Sequence, residues 1–355
     1  MTTTHGTVTR EELRARVDAL PRVHFAHLPT PLEDLPRLTE ELGGPRILVK
    51  REDATGLAFG GNKARHYEFE MAHLKEQGFN AIVNIMDYHS NNARVTGAAA
   101  NKMGFKYVLI LKNAKDRVIQ GNLLVDTILG AELHLLDEEE SDRAEELADE
   151  LGKRLEEEGY KPYVRQQHAF PKYVGSLAYV DCALELAEQL EERGITEKVR
   201  FFGVSGRSLA GLVLTARNLG LDWKATGVAV NYEVEMKEYL YDVIGGAQEV
   251  LGLTNAFQPE DMTVLTQYIG EGYGIPTEAV IEAVHMLGKL EGLMVDPNYT
   301  GTAMSGLIDQ IRQGNLSKDE TVVFLHTGGL PAIFTFAEEL AGYTGLAAAT
   351  QVSSP

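Results

Sequence analysis

The sequence predicts an α/β protein built of two open, twisted, mostly parallel sheets with flanking helices. Three observations carry that expectation. Short apolar runs alternate with helical patterns along most of the chain, the pattern of parallel strands joined by helical crossovers. Residues 107–111 are apolar at every position, as a strand covered on both faces should be. At 355 residues the chain is too long for one small core, and its length suggests about two domains.

Residues 1–45 read as a leader helix and then a connection punctuated by Pro29, Pro31 and Pro36. Residues 47–50 form a short apolar strand that runs into a glycine turn. Strands follow at 81–85, 107–111 and 132–136. Helices are expected over 92–103, where Gly104 closes the pattern, and over 120–129. The acidic stretch 137–158 carries Leu147, Leu151 and Leu155 at helical spacing, so it reads as a solvated helix with one buried stripe. A second alternating region follows, with strands at 199–204, 225–230 and 321–326 and helices at 210–219 and 278–291. The crossings fall near 65 and 170. The expected division is therefore a large discontinuous domain, 1–64 plus 170–355, and a small domain, 65–169.

Composition narrows the function. Thirty-three lysines and arginines against 52 acidic residues give a formal charge of −19, which disfavours nucleic acid and anionic membranes as partners. Cys182 is the single cysteine, so no intrachain disulfide forms, in keeping with a reducing cytosol. Residues 1–5 lack the basic and apolar regions of a signal peptide, and no apolar run is long enough to span a bilayer. The expected location is the cytoplasm. The histidines are scattered and the cysteine has no partner, so no metal site is expected.

The chemistry-bearing residues lie at turns. Lys63 follows Gly60, Gly61 and Asn62 directly. The glycines permit a sharp turn and the close approach of a bulky ring. A lysine partly desolvated there can lose its proton and attack a carbonyl carbon. An aldehyde cofactor such as pyridoxal 5'-phosphate (PLP) would use it as a Schiff-base partner. Alone, the stretch also fits a surface turn. Ser205, Gly206, Arg207 and Ser208 lie between a strand and a helix, where free backbone N–H groups suit a phosphate. The stretch lacks the Gly-Lys-Ser/Thr end of a Walker loop, and an N-capping serine in an ordinary turn would look the same. Ser90, Asn91 and Asn92 open a helix in the first region, a place for a substrate carboxylate or for capping alone. Tyr273 and Tyr299 sit on turns as candidate proton donors. Thr327, after the last strand, could place a hydroxyl beside a ring nitrogen. His326 reads as structural. A nucleophile elbow for a Ser-His-Asp hydrolase is missing.

In this order, Gly60-Gly61-Asn62-Lys63, Ser90-Asn91-Asn92-Ala93-Arg94, Gly121-Asn122-Leu123-Leu124, Asp296-Pro297-Asn298-Tyr299 and His326-Thr327-Gly328-Gly329 resemble the 1-aminocyclopropane-1-carboxylate deaminase / D-cysteine desulfhydrase family. The resemblance runs from Pro29 to Pro331. It implies a PLP enzyme of the tryptophan-synthase β-like fold (fold type II), with the cofactor in the large domain. It implies that Lys63 bonds the cofactor and takes the substrate α-proton. It further implies that Asn91 bonds the pyridoxal 3-hydroxyl, that Ser90 handles the substrate carboxylate and protons, and that Ser205, Gly206, Arg207 and Ser208 hold the phosphate. Tyr273 and Tyr299 match the two active-site tyrosines. With Tyr88 and His89, residues Ser90, Asn91 and Asn92 are the expected substrate contacts. Family members commonly form homodimers or higher homo-oligomers, which is the expectation here.

Departures from the family pattern favour one reaction. Thr300 replaces the glutamate that protonates the pyridine nitrogen in the deaminases. A neutral hydroxyl from Thr300 or Thr327 would make the cofactor a weaker electron sink, which suits α,β-elimination of a β-substituted amino acid to a 2-oxo acid and ammonia. Ring-opening deamination, cysteate sulfo-lysis or another β-elimination, and a non-catalytic PLP-binding role remain as alternatives. Met86-Asp87-Tyr88-His89 replaces a stretch that usually begins Gly-Gly. Thr302 and His66 stand where lysines are common, and Arg207 is unusual in the phosphate loop. The substrate, its chirality and its leaving group stay open.

Overall fold

The computed structural model describes residues 7–231, 236–254, 258 and 261–344; the start 1–5 considered above lies outside them. The strands are β1 (Leu32–Asp34), β2 (Arg46–Lys50), β3 (Ala81–Asp87), β4 (Lys106–Lys112), β5 (Glu132–Leu135), β6 (Pro162–Val164), β7 (Val199–Val204), β8 (Trp223–Val228), β9 (Met262–Leu265) and β10 (Thr321–Leu325). The helices are α1 (Arg10–Asp18), α2 (Pro36–Leu42), α3 (Lys63–Glu76), α4 (Asn91–Met103), α5 (Gly121–Ile128), α6 (Glu138–Ser141), α7 (Ala144–Glu157), α8 (Phe170–Glu192), α9 (Arg207–Leu219), α10 (Met236–Val250), α11 (Glu278–Glu291), α12 (Thr300–Arg312) and α13 (Ala337–Tyr343).

The strands form two sheets. One has the order β1-β2-β10-β7-β8-β9, the other β5-β4-β3-β6. Every pairing is parallel except β1 with β2, which is antiparallel at the edge. Parallel strands need helical crossovers, and these cover both faces of each sheet. That coverage explains why Val108, Leu109, Ile110 and Leu111 are all fully buried. The fold is the expected α/β architecture.

Several elements differ from expectation. The acidic stretch breaks into α6 and α7, because Asp137 caps α6 in a capping box and the chain turns before Ala144. Leu151 and Leu155 are buried as expected, while Leu147 is only partly so. Helix α9 begins at Arg207, three residues before its expected start, and β8 ends at Val228 rather than 230.

Helix α8 crosses the larger core, packing against α3, α9 and α10. Its contact with α9 is tight: a Cβ at Gly211 would lie 2.4 Å from the Ser176 carbonyl oxygen. A buried charge network joins α8 to α3. Arg65 Nε and Nη2 donate to Glu52 at 2.7 and 2.9 Å, and Nη2 also donates to Glu185 at 2.9 Å. Tyr179 donates to Glu52 at 2.9 Å and Thr30 at 2.6 Å. Burial alone would raise the Glu52 pKa; the Arg65 guanidinium outweighs it and holds the carboxyl down at about 2. Removing one partner of such a buried pair strands the other's charge. Arg65→Met is expected to lower the unfolding free energy by about 3–5 kcal/mol. Loss of the exposed Arg10–Glu191 pair should cost less than about 1 kcal/mol; denaturant titration compares the two.

Candidate active site

The C-terminal ends of β3, β7 and β10 open onto one cavity of about 700 Å³, the place where ligands bind in open parallel sheets. Lys63, Ser90, Asn91, Asn92, Ser205, Gly206, Arg207, Ser208, Tyr273, Tyr299 and Thr327 all line it. Residues far apart in the chain thus converge as the motifs suggest.

Lys63 is the first residue of α3 and is carried by a strained turn. Ala58 and Phe59 hold φ of 42° and 70°, and Gly60 and Gly61 hold 70° and 114°. A Cβ at Gly60 would lie 1.9 Å from the Asp53 carbonyl oxygen, and one at Gly61 3.0 Å from that of Thr327. Both glycines lie against neighbouring backbone, which a side chain at either position would displace. The Asn62 N–H donates to the Thr327 carbonyl at 3.0 Å, so the turn is fixed to the segment after β10. Arg94, buried, donates to the carbonyls of Ala58 and Gly60.

Among the described residues the Lys63 ammonium has no carboxylate within ion-pair distance. Desolvation, and then repulsion by Arg207 and Arg165, push its pKa down to about 7. Arg165 itself is held by Glu70 at 2.9 and 3.2 Å. His66, one of the departures, is buried beside Lys63 and stays neutral for the same reasons, desolvation first.

On the large-sheet side, Gly206 precedes α9 with φ 151°. Ser205 Oγ and Arg207 Nε are buried without a partner among the described residues, while Ser208 Oγ accepts from Asn62 at 3.0 Å. Orphaned donors around a helix N-terminus fit an anion. On the small-sheet side, Ser90 caps α4 and its Oγ accepts from the Ala93 N–H at 3.2 Å. Asn91 Oδ1 accepts from Asn122 at 3.0 Å and from Arg94 at 3.4 Å. Asn122 in turn accepts from Arg94 at 2.9 Å and donates to the His89 carbonyl at 3.0 Å. Asn91 is therefore clamped through its oxygen, which leaves its N–H groups free.

The Tyr273 and Tyr299 hydroxyls lie 2.5 Å apart. Burial holds Tyr273 well above the ordinary tyrosine pKa; burial and then Tyr273 do the same to Tyr299. Both keep their protons at neutral pH. Thr300, by contrast, is off the cavity: its hydroxyl donates to Asp296 at 2.7 Å. Of the two hydroxyls considered for the ring nitrogen, Thr327 is the one that lines the cavity. Thr302 likewise turns to backbone carbonyls.

Of the expected substrate contacts, Ser90, Asn91 and Asn92 line the cavity, whereas Tyr88 and His89 do not. Tyr88 is packed in the small-sheet core and donates to the Val118 carbonyl at 2.9 Å. His89 stacks on Phe336 with ring centroids 5.2 Å apart. Strand β3 ends at Asp87, so the chain turns there and sends Asp87, not its two neighbours, into the cavity. Sequence reasoning missed Asn62, Arg165 and Tyr239 on the lining. Arg165 follows a three-residue strand that begins with proline, too short to leave a pattern. The histidine His326 is structural as expected, buried and bonded to the Met294 carbonyl at 2.7 Å. Among the described residues no cluster of histidine, cysteine or carboxylates could hold a metal, and no helix is long and apolar enough to cross a membrane.

A partnerless lysine facing an anion cradle across a cleft between two parallel sheets defines a class: enzymes that bind a phosphorylated aldehyde. Residues 23–328 match the family described as pyridoxal-phosphate dependent enzyme, and the chain belongs to it. The chain is 35% identical over 334 residues to a putative 1-aminocyclopropane-1-carboxylate deaminase of Pyrococcus abyssi, covering 92% of this chain and 98% of that one. It is 36% identical over 322 residues to the D-cysteine desulfhydrase of Salmonella typhimurium, covering 89% and 96%. The crystal structure of an ACC deaminase homologue superposes with TM-score 0.81 at 33% identity over 93% of this chain and 98% of that one. Threonine deaminase isoform 2 of Solanum lycopersicum shares the fold at TM-score 0.63 and 15% identity, covering 96% and 90%. The fold is PLP fold type II.

The cavity residues fit PLP, since Ser205, Arg207 and the α9 N-terminus match its phosphate and Lys63 matches its aldehyde. Because neutral amine is the reactive form, the rate at which PLP attaches to apoprotein should rise with pH through about 7 and then level off. An ordinary lysine would keep rising toward ~10. Arg207→Gln removes a repelling cation and should move the midpoint upward; stopped-flow absorbance reads both.

Proposed function

We propose that the protein is a PLP-dependent lyase that removes the β-substituent of an amino acid, yielding a 2-oxo acid and ammonia. The observation that carries this reading is Lys63, in no ion pair among the described residues and pushed to about 7, on the wall of a cavity it shares with two protonated tyrosines. The relatives named D-cysteine desulfhydrase and putative 1-aminocyclopropane-1-carboxylate deaminase support it. The neutral Thr327 on the cavity wall favours departure of a good leaving group over opening a cyclopropane ring.

When bound, PLP supplies a sink for the electron pair of a broken Cα–H bond. The chain supplies the rest. Ser205, Gly206, Arg207 and Ser208 bind the phosphate at the start of α9. Asn91 donates to the 3-hydroxyl, its amide turned by Asn122 and Arg94. Ser90 and Asn92, at the α4 N-terminus, orient the substrate carboxylate. Lys63 takes the α-proton, and a pKa near the working pH suits a base that must release that proton to solvent before it is neutral again. Tyr273 or Tyr299 hands a proton to the departing group. The proposed division into domains 1–64 plus 170–355 and 65–169 puts the phosphate side and the carboxylate side on different bodies, with Lys63 at the crossing.

We further infer a cytosolic homodimer or higher homo-oligomer. Val118, Ile119, Leu124 and Ile128 are exposed on and before α5, and Phe334 is exposed in the adjoining turn that packs on Gly121. An apolar area of that kind is typical of a contact between subunits.

Two measurements test the reading. Borohydride treatment of PLP-loaded protein should fix the cofactor's mass on the Lys63 peptide and on none in Lys63→Ala; labelling elsewhere removes Lys63 from its role. β-Chloroalanine should give pyruvate, whereas 2-oxobutyrate from 1-aminocyclopropane-1-carboxylate would establish the ring-opening deaminase instead. The clamp is tested by a double-mutant cycle on PLP affinity. Asn122→Ala should weaken binding about tenfold in wild type and have little further effect in Asn91→Ala. Additive losses would mean that Asn122 does not act through Asn91.

A further inference from the structure

Among the described residues, four charged side chains line the cavity: Lys63, Asp87, Arg165 and Arg207. Three have a task or a partner. Lys63 faces the aldehyde, Arg207 belongs to the anion cradle, and Arg165 is held by both oxygens of Glu70. Asp87 is left. Its one side-chain hydrogen bond is a long one, accepted from Asn113 at 3.4 Å. Among the described residues no lysine or arginine pairs with it. A carboxylate on a cavity wall with no cation paired to it attracts one that arrives beside it.

Its position points to the substrate's side chain. Asp87 ends β3, three residues before Ser90, and its charge is felt by both Tyr273 and Tyr299. It therefore lies by the groups assigned to the leaving substituent. Asp87 and Met86 also line a second hollow of about 400 Å³ with exposed Asp142 and Glu145, beside Lys112. That acidic rim leads a cation toward Asp87.

We propose that Asp87 selects amino acids whose β-substituent is an ammonium group, with 2,3-diaminopropionate the simplest. This rests on the elimination reading and names its leaving group. Sulfide or sulfite would gather negative charge beside the carboxylate as it departs. An ammonium group does the opposite. Asp87 keeps the β-nitrogen protonated; the Cα–H bond breaks with its proton passing to Lys63; the Cβ–N bond breaks with its electron pair leaving on nitrogen as neutral ammonia. Water then hydrolyses the remaining unsaturated amine. One diaminopropionate and one water give one pyruvate and two ammonia, without an oxidant or reductant.

The test uses PLP-loaded wild type and Asp87→Asn, an isosteric change checked for unaltered melting temperature. Pyruvate release is measured for both enantiomers of 2,3-diaminopropionate, cysteine and β-chloroalanine. Calorimetry compares 2,4-diaminobutyrate, whose ammonium lies one carbon too far to leave by β-elimination, with its uncharged isostere 2-aminopentanoate. Wild type should bind the cationic ligand about tenfold more tightly and Asp87→Asn should not discriminate. The variant should lose about a hundredfold in kcat/KM on diaminopropionate and less than about threefold on β-chloroalanine, whose chloride needs no protonation. Equal binding of the two ligands by wild type, or an equal loss on all substrates, overturns the role of Asp87. Absence of pyruvate from β-chloroalanine in wild type instead overturns the elimination reading, while the binding ratio still reports on Asp87.

Discussion

The bonds from Arg65 to Glu52 and Glu185 hold the site together from behind. Glu52 lies before the glycine turn, Arg65 lies on α3 two residues after Lys63, and Glu185 lies on α8. One guanidinium thereby ties the strained turn, the reactive lysine's helix and the central helix into one body. It also consumes the nearby carboxylates. Glu52 and Glu185 are committed to Arg65, Glu70 is committed to Arg165, and Lys63 is left without a counter-ion. Strong pairing one turn away is what makes weak pairing at the lysine possible.

The local field of the cavity runs against that of the whole molecule. The chain carries a formal charge of −19, yet three of the four charged residues described on the cavity wall are cations. An anionic cofactor is accommodated by placed donors and a helix end rather than by net charge. The acidic exterior then acts on the other ligand. It disfavours anionic substrates at a distance and favours cationic ones, in the same sense as Asp87 at close range.

Much of this was legible from residue pattern. Helix 278–291 and strand 199–204 stand where spacing put them, the helix with Thr277 as a clear cap and the strand with Phe201 and Phe202 at its centre. Helix α8 left no stripe, because it is buried on nearly all sides and a helix apolar all round has no period to detect. Strands β1 and β6, three residues each, are fixed by their neighbours rather than by propensity. In the site, the turn residues could be found because turns and caps demand particular side chains. The clamp of Arg94 and Asn122 on Asn91 could not, since it depends on α4 and α5 meeting. Nor could the turn of Tyr88 and His89 away from the cavity, which follows from where β3 stops.

The close approach of the Tyr273 and Tyr299 hydroxyls has a stoichiometric consequence. Two phenols joined by a single hydrogen bridge hold two hydrogens between them, and the bridge occupies one. Only one remains to be given away. A turnover in which the departing group draws that hydrogen leaves the pair to be recharged before it can give another, so the pair works as a one-round magazine rather than a reservoir.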